Sequence, residues 1–136
     1  MNAASGIQPA MRGPAAPGDE FDMIIVGAGI SGIAMAVHLQ RDCPDKNFVM
    51  LERRAELGGT WDLFRYPGIR SDSDMYTMSL ESEPWLEPET LGKGSSIKSY
   101  LADVAARHRL TDRIRFGQRV LSADWHGDEA RWHVEV

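Results

Sequence analysis

The stretch FDMIIVGAGISGIAMAVHLQRD, residues 21–42, decides the fold of this 136-residue chain. Its first part, Phe21–Val26, is short and almost wholly apolar, which predicts a strand buried on both faces, as in a parallel sheet. Gly27, Gly29 and Gly32 then form the pattern G-x-G-x-x-G. The following residues are apolar at helical spacing, and Pro44 ends that helix. The stretch therefore predicts a strand, a tight turn and a helix.

A second apolar strand, predicted at 47–51, is followed directly by Glu52 and completes a βαβ unit. In such a unit Gly27 permits the tight turn, Gly29 lets a pyrophosphate approach the backbone, and Gly32 lets helix and strand pack closely. Glu52 is expected to accept hydrogen bonds from ribose hydroxyls and to repel a 2′-phosphate, which favours FAD or NAD over NADP. The alternatives are a structural turn without ligand and a solvated glutamate.

The rest of the chain predicts further elements of the same fold class. Residues 53–95 are irregular and hold three prolines, which is typical of a functional loop region. A helix is predicted at 96–110 with Ser95 or Ser96 as its cap, a third parallel strand at 114–116, and a hairpin from 120–125 and 131–136. The prediction is an α/β, doubly wound, Rossmann-like domain over 21–136, incomplete because the chain stops inside the last strand.

Composition and charge exclude several function classes. Fifteen Lys and Arg against 20 Asp and Glu give a net charge of −5, which argues against nucleic-acid binding by bulk charge. A single cysteine excludes a disulfide framework and fits a reducing, cytoplasmic location. No apolar run is long enough for a membrane span, and the four histidines show no metal-ligand spacing, so no metal site is predicted. Residues 1–20 are rich in Ala, Gly and Pro and predict a disordered tail.

The segment ELGGTWDLFRYPGIRSDSDMY, residues 56–76, separates the cofactor alternatives. A plain NAD domain would continue here with another short helix and strand. Together with GAGISG, the Glu52 position and RFGQRVLSADW at 115–125, this segment resembles the class B flavoprotein monooxygenases, the Baeyer–Villiger enzymes and their flavin-containing relatives. The resemblance covers nearly all of 21–136. It is closest to members that act on ketones and on thioamides.

The resemblance implies a role for particular residues. The FAD pyrophosphate would be bound at the glycine-rich turn, the adenosine by Glu52 and its neighbours, and the flavin side would be lined by the GGTW segment. Asp72 would lie close to the isoalloxazine and nicotinamide as the catalytic residue. The alternatives are that Asp72 is only a turn former and that Trp61 anchors the core. The implied cofactor-binding set is Gly27, Gly29, Ser31, Gly32, Glu52, Arg53, Gly59, Thr60, Trp61, Arg70, Ser71, Asp72 and Val120.

The function implied is that of an FAD-binding N-terminal part of an NADPH-dependent monooxygenase. Such an enzyme uses O2 to insert oxygen into ketones or onto sulfur or nitrogen. The second dinucleotide motif for NADPH is not among these residues, so most of that site is expected outside them. Two alternatives remain: another FAD enzyme such as an amine oxidase, and a truncated FAD-binding module without catalysis. Nothing in the sequence specifies an oligomeric state.

Overall fold

The computed structural model describes residues 16–136, and they form a parallel sheet flanked by helices and followed by a hairpin. The elements are β1 (Met23–Val26), α1 (Ile30–Asp42), β2 (Phe48–Glu52), α2 (Thr60–Leu63), α3 (Met75–Met78), α4 (Gly94–Arg107), a 3₁₀ helix (Leu110–Arg113), β3 (Ile114–Phe116), β4 (Ser122–His126) and β5 (Arg131–Glu135). The predicted α/β class, the βαβ start and the hairpin are confirmed.

The sheet order is β1-β2-β3, and both pairings are parallel. Ile25 lies beside Met50, and Met50 lies beside Ile114 on the other side. This is the order of strands in one half of a doubly wound sheet. The carboxyl ends of all three strands therefore reach the same edge, which is where ligands bind in such folds.

The centre of the core is β2, all five residues of which are buried. Its apolar side chains meet the inner face of α1, where Ile33, Ala36 and Val37 are buried, and the inner face of α4. From α4 the buried side chains are those of Ile97, Leu101, Val104 and Ala105. Burial of this kind is worth about 25 cal/mol per Å² of apolar surface, so the two helices and β2 are held together mainly by this shared apolar core.

The prediction that β1 is buried on both faces is wrong for the described residues. Met23 is 42% exposed and Val26 is 66% exposed. The physical reason is that β2 pairs with one edge of β1, while within residues 16–136 no strand pairs with its other edge. Among the described residues β1 is therefore an apolar edge strand, and its free edge is a surface on which another strand can pair.

Two predicted boundaries need correction. The helix expected at 96–110 begins at Gly94 and ends at Arg107, and its N-cap is Lys93 without a side-chain cap bond. Ser95 and Ser96 lie inside the first turn and so cannot cap it. The irregular region 53–95 contains the two short helices α2 and α3, and α3 begins where Asp74 accepts hydrogen bonds from the backbone N–H groups of Tyr76 and Thr77.

The first fifteen residues of the predicted tail lie outside the described residues. Of the remainder, Asp19 forms an ion pair with Arg115, with 2.6 Å between Oδ2 and Nη1. Among residues 16–136, none of the helices has both the length and the apolar character that a membrane span requires.

Candidate functional site

The glycine-rich turn between β1 and α1 depends on two glycines for its shape. Gly27 has φ of +99°, a conformation that residues with a Cβ rarely adopt, and its N–H donates to the Leu51 carbonyl at 2.8 Å. A Cβ built on Gly32 would lie 2.1 Å from the Gly27 carbonyl oxygen. The first turn of α1 therefore packs directly on the loop that precedes it, as the sequence pattern predicted for its third glycine.

Helix α1 presents a free N-terminus to this edge of the sheet. Its N-cap is Gly29, which has an extended backbone and no side chain to cap the helix. The first N–H groups of a helix have no intrahelical partners, and they carry the positive end of the helix dipole. An anionic group placed here would meet N–H donors and a favourable field.

Glu52, the last residue of β2, is buried and ties the turn to the sheet. Its Oε2 accepts a hydrogen bond from the Ala28 N–H at 2.8 Å, and its Oε1 accepts one from the Arg54 N–H at 2.8 Å. Each carboxylate oxygen has a second lone pair, so the group retains the capacity to accept from a ligand. Glu52 is therefore a structural anchor as well as a candidate ribose acceptor, and it is not the solvated glutamate that the sequence left open.

A second glycine pair, Gly58–Gly59, folds back onto the first turn. The Gly58 N–H donates to the Ala28 carbonyl at 2.9 Å. A Cβ on Gly59 would lie 2.9 Å from the Gly29 Cα, so the two backbones touch where no side chain fits between them. The loop after β2 thereby completes the wall of the site around the turn.

These elements surround a groove of about 400 Å³, which we call the glycine groove. Seven residues of the predicted cofactor-binding set line it, from the adenosine and pyrophosphate positions as well as from the flavin side. They are Gly27, Gly29, Glu52, Arg53, Gly59, Thr60 and Val120. Three strand ends, a helix N-terminus and a buried carboxylate thus meet at one concave surface.

Trp61 and Arg70 line a neighbouring groove of about 550 Å³, the tryptophan groove, together with Lys93 and Lys98. Trp61 is partly buried and packs against the core. It therefore anchors the core with one part of its side chain and lines the groove with another. The surroundings of this groove are cationic and aromatic, which suits an anionic ligand with a ring.

Four predicted residues line neither groove: Ser31, Gly32, Ser71 and Asp72. Ser31 and Gly32 belong to the first turn of α1. Asp72 is exposed, and the Ser73 hydroxyl donates to its Oδ1 at 3.5 Å, the limit for a hydrogen bond. Ser71 is buried, and its hydroxyl has no hydrogen-bond partner among the described residues.

Sequence reasoning missed a buried carboxylate behind the GGTW segment. The side chain of Asp62 is 3% exposed, and its oxygens accept hydrogen bonds from Arg54 Nε at 2.6 Å, from Arg65 Nη2 at 2.8 Å and from Lys98 Nζ at 2.8 Å. Lys98 also pairs with Glu56. The hydrogen bonds from Lys98 and Arg54 hold the pKa of Asp62 well below its usual range. No local sequence pattern predicts this cluster, because its members come from separate segments: Arg54 follows β2, Asp62 lies in α2 and Lys98 lies in α4.

Replacing Asp62 with asparagine is expected to destabilise the fold by about 3 kcal/mol at pH 7, because the half-buried Arg54 loses its counter-charge and the half-buried Lys98 loses one of its two carboxylate partners. The depressed pKa of Asp62 means that this stabilisation is complete above about pH 4 and is lost as the pH falls below that value. Urea unfolding at pH 7 and at pH 3 measures it. Asp103→Asn, an exposed change on α4, is the control, and equal stability of the two variants at pH 7 would contradict the assignment.

Gln118 and Arg119, which line the glycine groove, were also missed. They follow the short strand β3, and the Gln118 N–H donates to the Glu52 carbonyl at 2.9 Å. A signal was available, because residues that follow the carboxyl ends of parallel strands lie at the ligand-binding edge. The resemblance implied Val120 as a site residue, and its position after β3 gives an independent reason for it to lie at this edge.

Comparison with known proteins agrees with the geometry. Residues 25–87 match the family model described as an NAD(P)-binding Rossmann-like domain. The chain is 53% identical over 117 residues to a probable FAD-binding monooxygenase, AlmA, of Acinetobacter sp., covering 86% of this chain and 24% of the relative. It is 52% identical over 118 residues to the FAD-containing monooxygenase EthA of Mycolicibacterium smegmatis, covering 87% of this chain and 24% of the relative.

Among solved structures, the fold is similar to that of a steroid monooxygenase described as oxidised and bound to NADP. The TM-score is 0.74 at 35% identity, covering 84% of this chain and 22% of that one. The chain thus spans about a quarter of the length of the relatives it matches.

Proposed function

We propose that this chain is the counterpart of the N-terminal portion of the class B flavoprotein monooxygenases, and that it binds FAD at the glycine groove as part of an NADPH-dependent monooxygenase. The observation that carries the proposal is the convergence of the α1 N-terminus, the Gly29–Gly59 contact and the buried Glu52 on one concave surface. The relatives named FAD-binding or FAD-containing monooxygenases support the choice of cofactor.

The residues present fit an FAD molecule on chemical grounds. A pyrophosphate needs N–H donors and a backbone that it can approach closely, and the uncapped turn at Gly29 supplies both. A ribose with free hydroxyls needs an acceptor, and Glu52 retains lone pairs that face the same groove. Its negative charge disfavours a 2′-phosphate, so we assign FAD rather than NADP to the glycine groove.

When bound, FAD would supply the redox and oxygen chemistry of the enzyme. The residues of this chain would bind and orient it. Ser31 and Gly32 would act from the first turn of α1, Arg53 and the Val120 backbone beside the adenine, and Thr60 with Trp61 beside the flavin. Arg70, Ser71 and Asp72 would belong to the loop that meets NADPH.

Replacing Gly29 with alanine separates cofactor binding from folding. A Cβ at this position would lie 3.5 Å from the Gly59 Cα, an ordinary contact that the fold can accept. It would, however, occupy the backbone surface that a pyrophosphate must approach. We expect FAD affinity to fall about tenfold or more, equivalent to ~1.4 kcal/mol, while the thermal unfolding midpoint changes little. Titration of the apoprotein with FAD, followed by flavin fluorescence, measures this.

The control is Gly127→Ala in the β4–β5 turn. Gly127 has no positive φ, and a Cβ there would lie 3.8 Å from its nearest neighbour, the Trp125 Nε1 atom. Both stability and FAD affinity should remain at the parent values. If Gly29→Ala binds FAD as tightly as Gly127→Ala does, the pyrophosphate does not bind at the turn.

Asp72 is proposed as the catalytic residue, which orients the nicotinamide toward the flavin. Asp72→Ala in the full-length protein should slow flavin reduction by NADPH much more than it weakens FAD binding, because the exposed Asp72 supports no other described element. Stopped-flow absorbance follows the reduction. Reduction at the parent rate would make Asp72 a turn residue only, and FAD retention with no NADPH oxidation in the parent would favour the non-catalytic binding module.

The substrate proposed is a ketone or a molecule with a soft sulfur or nitrogen atom, oxidised with O2. A solved structure described as a polycyclic ketone monooxygenase from the fungus Thermothelomyces thermophila, similar in fold with a TM-score of 0.78 at 27% identity, supports the ketone class. We also propose a cytoplasmic location, for which the free and exposed Cys43 is the supporting feature. Product analysis after incubation with a ketone and a thioether, each with NADPH, tests the substrate class.

A further inference from the structure

The β4–β5 hairpin brings together three ligand-type side chains that are apart in the sequence. The pairing register places Asp124 opposite His133 and His126 opposite Arg131. Because alternate residues of a strand point to the same face, His126 and His133 lie diagonally on one face of the hairpin. Their rings are stacked with centroids 3.8 Å apart and 14° between the planes.

Glu129, in the turn of the hairpin, completes the group. Its Oε2 lies 2.9 Å from His133 Nε2. One ligand atom from each of His126, Glu129 and His133 lies within 4.8 Å of the other two. Tetrahedral coordination at metal–ligand distances of about 2.0–2.1 Å requires ligand atoms about 3.4 Å apart. Because a metal lies in the plane of each imidazole that binds it, the two stacked rings must rotate out of their parallel arrangement to share one ion.

We propose that His126, Glu129 and His133 bind one divalent transition-metal ion of the Zn²⁺ type. Two imidazole nitrogens and one carboxylate oxygen are a donor set that suits Zn²⁺, Cu²⁺ or Ni²⁺ and does not suit Mg²⁺ or Ca²⁺, which prefer oxygen ligands. All three side chains are exposed, so water completes the coordination shell. The site is separate from the glycine groove and does not depend on the proposed function.

Arg131 is the neighbouring group that competes with a cation. Its Nε lies 3.7 Å from Glu129 Oε2, a long contact, and its Nη1 also pairs with Glu20. Arg131 therefore keeps a carboxylate partner when the metal takes Glu129, so its charge does not remain unpaired beside the ion.

Titration of the chelator-treated protein with ZnCl2 by calorimetry tests the proposal. We expect one Zn²⁺ per chain, and we expect His126→Ala and His133→Ala each to weaken the affinity about tenfold or more through the loss of one ligand. The control is His38→Ala on α1. The His38 side chain is 48% exposed, the same value as for His133, and it lies 3.8 Å from a carboxylate oxygen of Asp42. It should retain parental affinity.

Tryptophan fluorescence is a second measurement, which distinguishes loss of a metal ligand from a change in the hairpin itself. Trp125 and Trp132 lie on the opposite face of the same hairpin, with ring centroids 5.6 Å apart. Cu²⁺ at the site should quench their fluorescence, and Zn²⁺, which does not quench, should compete and restore it. Glu129→Gln should weaken both effects without changing the circular dichroism spectrum.

Three results would overturn the assignment. One is no Zn²⁺ binding at about 1 mM metal, an affinity typical of non-specific contacts. Another is equal loss of affinity in His38→Ala and His133→Ala. The third is equal affinity for Mg²⁺, since that ion does not select imidazole.

Discussion

Replacing Gly32 with valine is expected to lower the free energy of unfolding by at least ~3 kcal/mol, the upper range for overpacking a well-packed site. Even the first carbon of that side chain would lie 2.1 Å from the Gly27 carbonyl oxygen and 3.4 Å from Ile25 Cγ2. The Gly27 oxygen belongs to the backbone of a turn that is fixed by the hydrogen bond to Leu51, so it cannot rotate away. Helix α1 must shift from β1 instead.

Because we propose that α1 supplies the pyrophosphate donors, Gly32→Val should bind FAD weakly even at temperatures where it remains folded. Urea unfolding and FAD titration measure the two effects. Gly32→Ala should give a smaller loss in both, since its single methyl group requires a smaller shift of the helix. A valine variant with parental stability would show that the turn and helix can separate without cost, against the close contact seen at Gly32.

Replacing Glu52 with alanine is expected to weaken FAD binding about 10- to 150-fold, because the charged hydrogen bond that we propose to the adenosine ribose, worth ~1.5–3 kcal/mol, is lost. The same change leaves the N–H of the fully buried Ala28 without its acceptor. An unsatisfied buried donor costs about 1–3 kcal/mol, so stability should fall as well. FAD titration and thermal unfolding should therefore both respond.

The two effects of Glu52→Ala are separable by temperature. FAD affinity measured far below the unfolding midpoint reports the ribose contact, whereas the midpoint reports the anchor on Ala28. Glu87→Ala, an exposed change in the irregular region, should alter neither. Parental FAD affinity in the folded Glu52→Ala protein would contradict the proposed contact between Glu52 and the adenosine ribose. Glu52 would then have only its structural role at Ala28.

The part of the fold that follows from local sequence is the βαβ unit. Its elements are each specified within about ten residues: apolar runs for β1 and β2, helical spacing for α1, and glycines at the turn between β1 and α1. Glu52 also follows from position alone, because a residue at the carboxyl end of a parallel strand must emerge at the ligand edge. Helix ends and caps were less certain, as Lys93 at the start of α4 illustrates.

Much of the candidate site depends on contacts between distant segments. No periodicity indicates that Gly59 would touch Gly29 or that Asp62 would meet Lys98. These outcomes are decided by how the irregular loop packs.

In the β4–β5 hairpin, some features follow from the local sequence and others follow only from the pairing of the two strands. Alternating residues and the Gly127–Asp128 turn were enough to predict two paired strands. The grouping of His126, Glu129 and His133 was not predictable, because it depends on the pairing register, and a shift of one residue would turn His133 to the other face. The sequence alone determined the turn, the strands around it and the carboxylate at the ligand edge, since these depend on near neighbours. Only the tertiary structure decided which distant side chains meet, since those contacts depend on the packing of the whole chain.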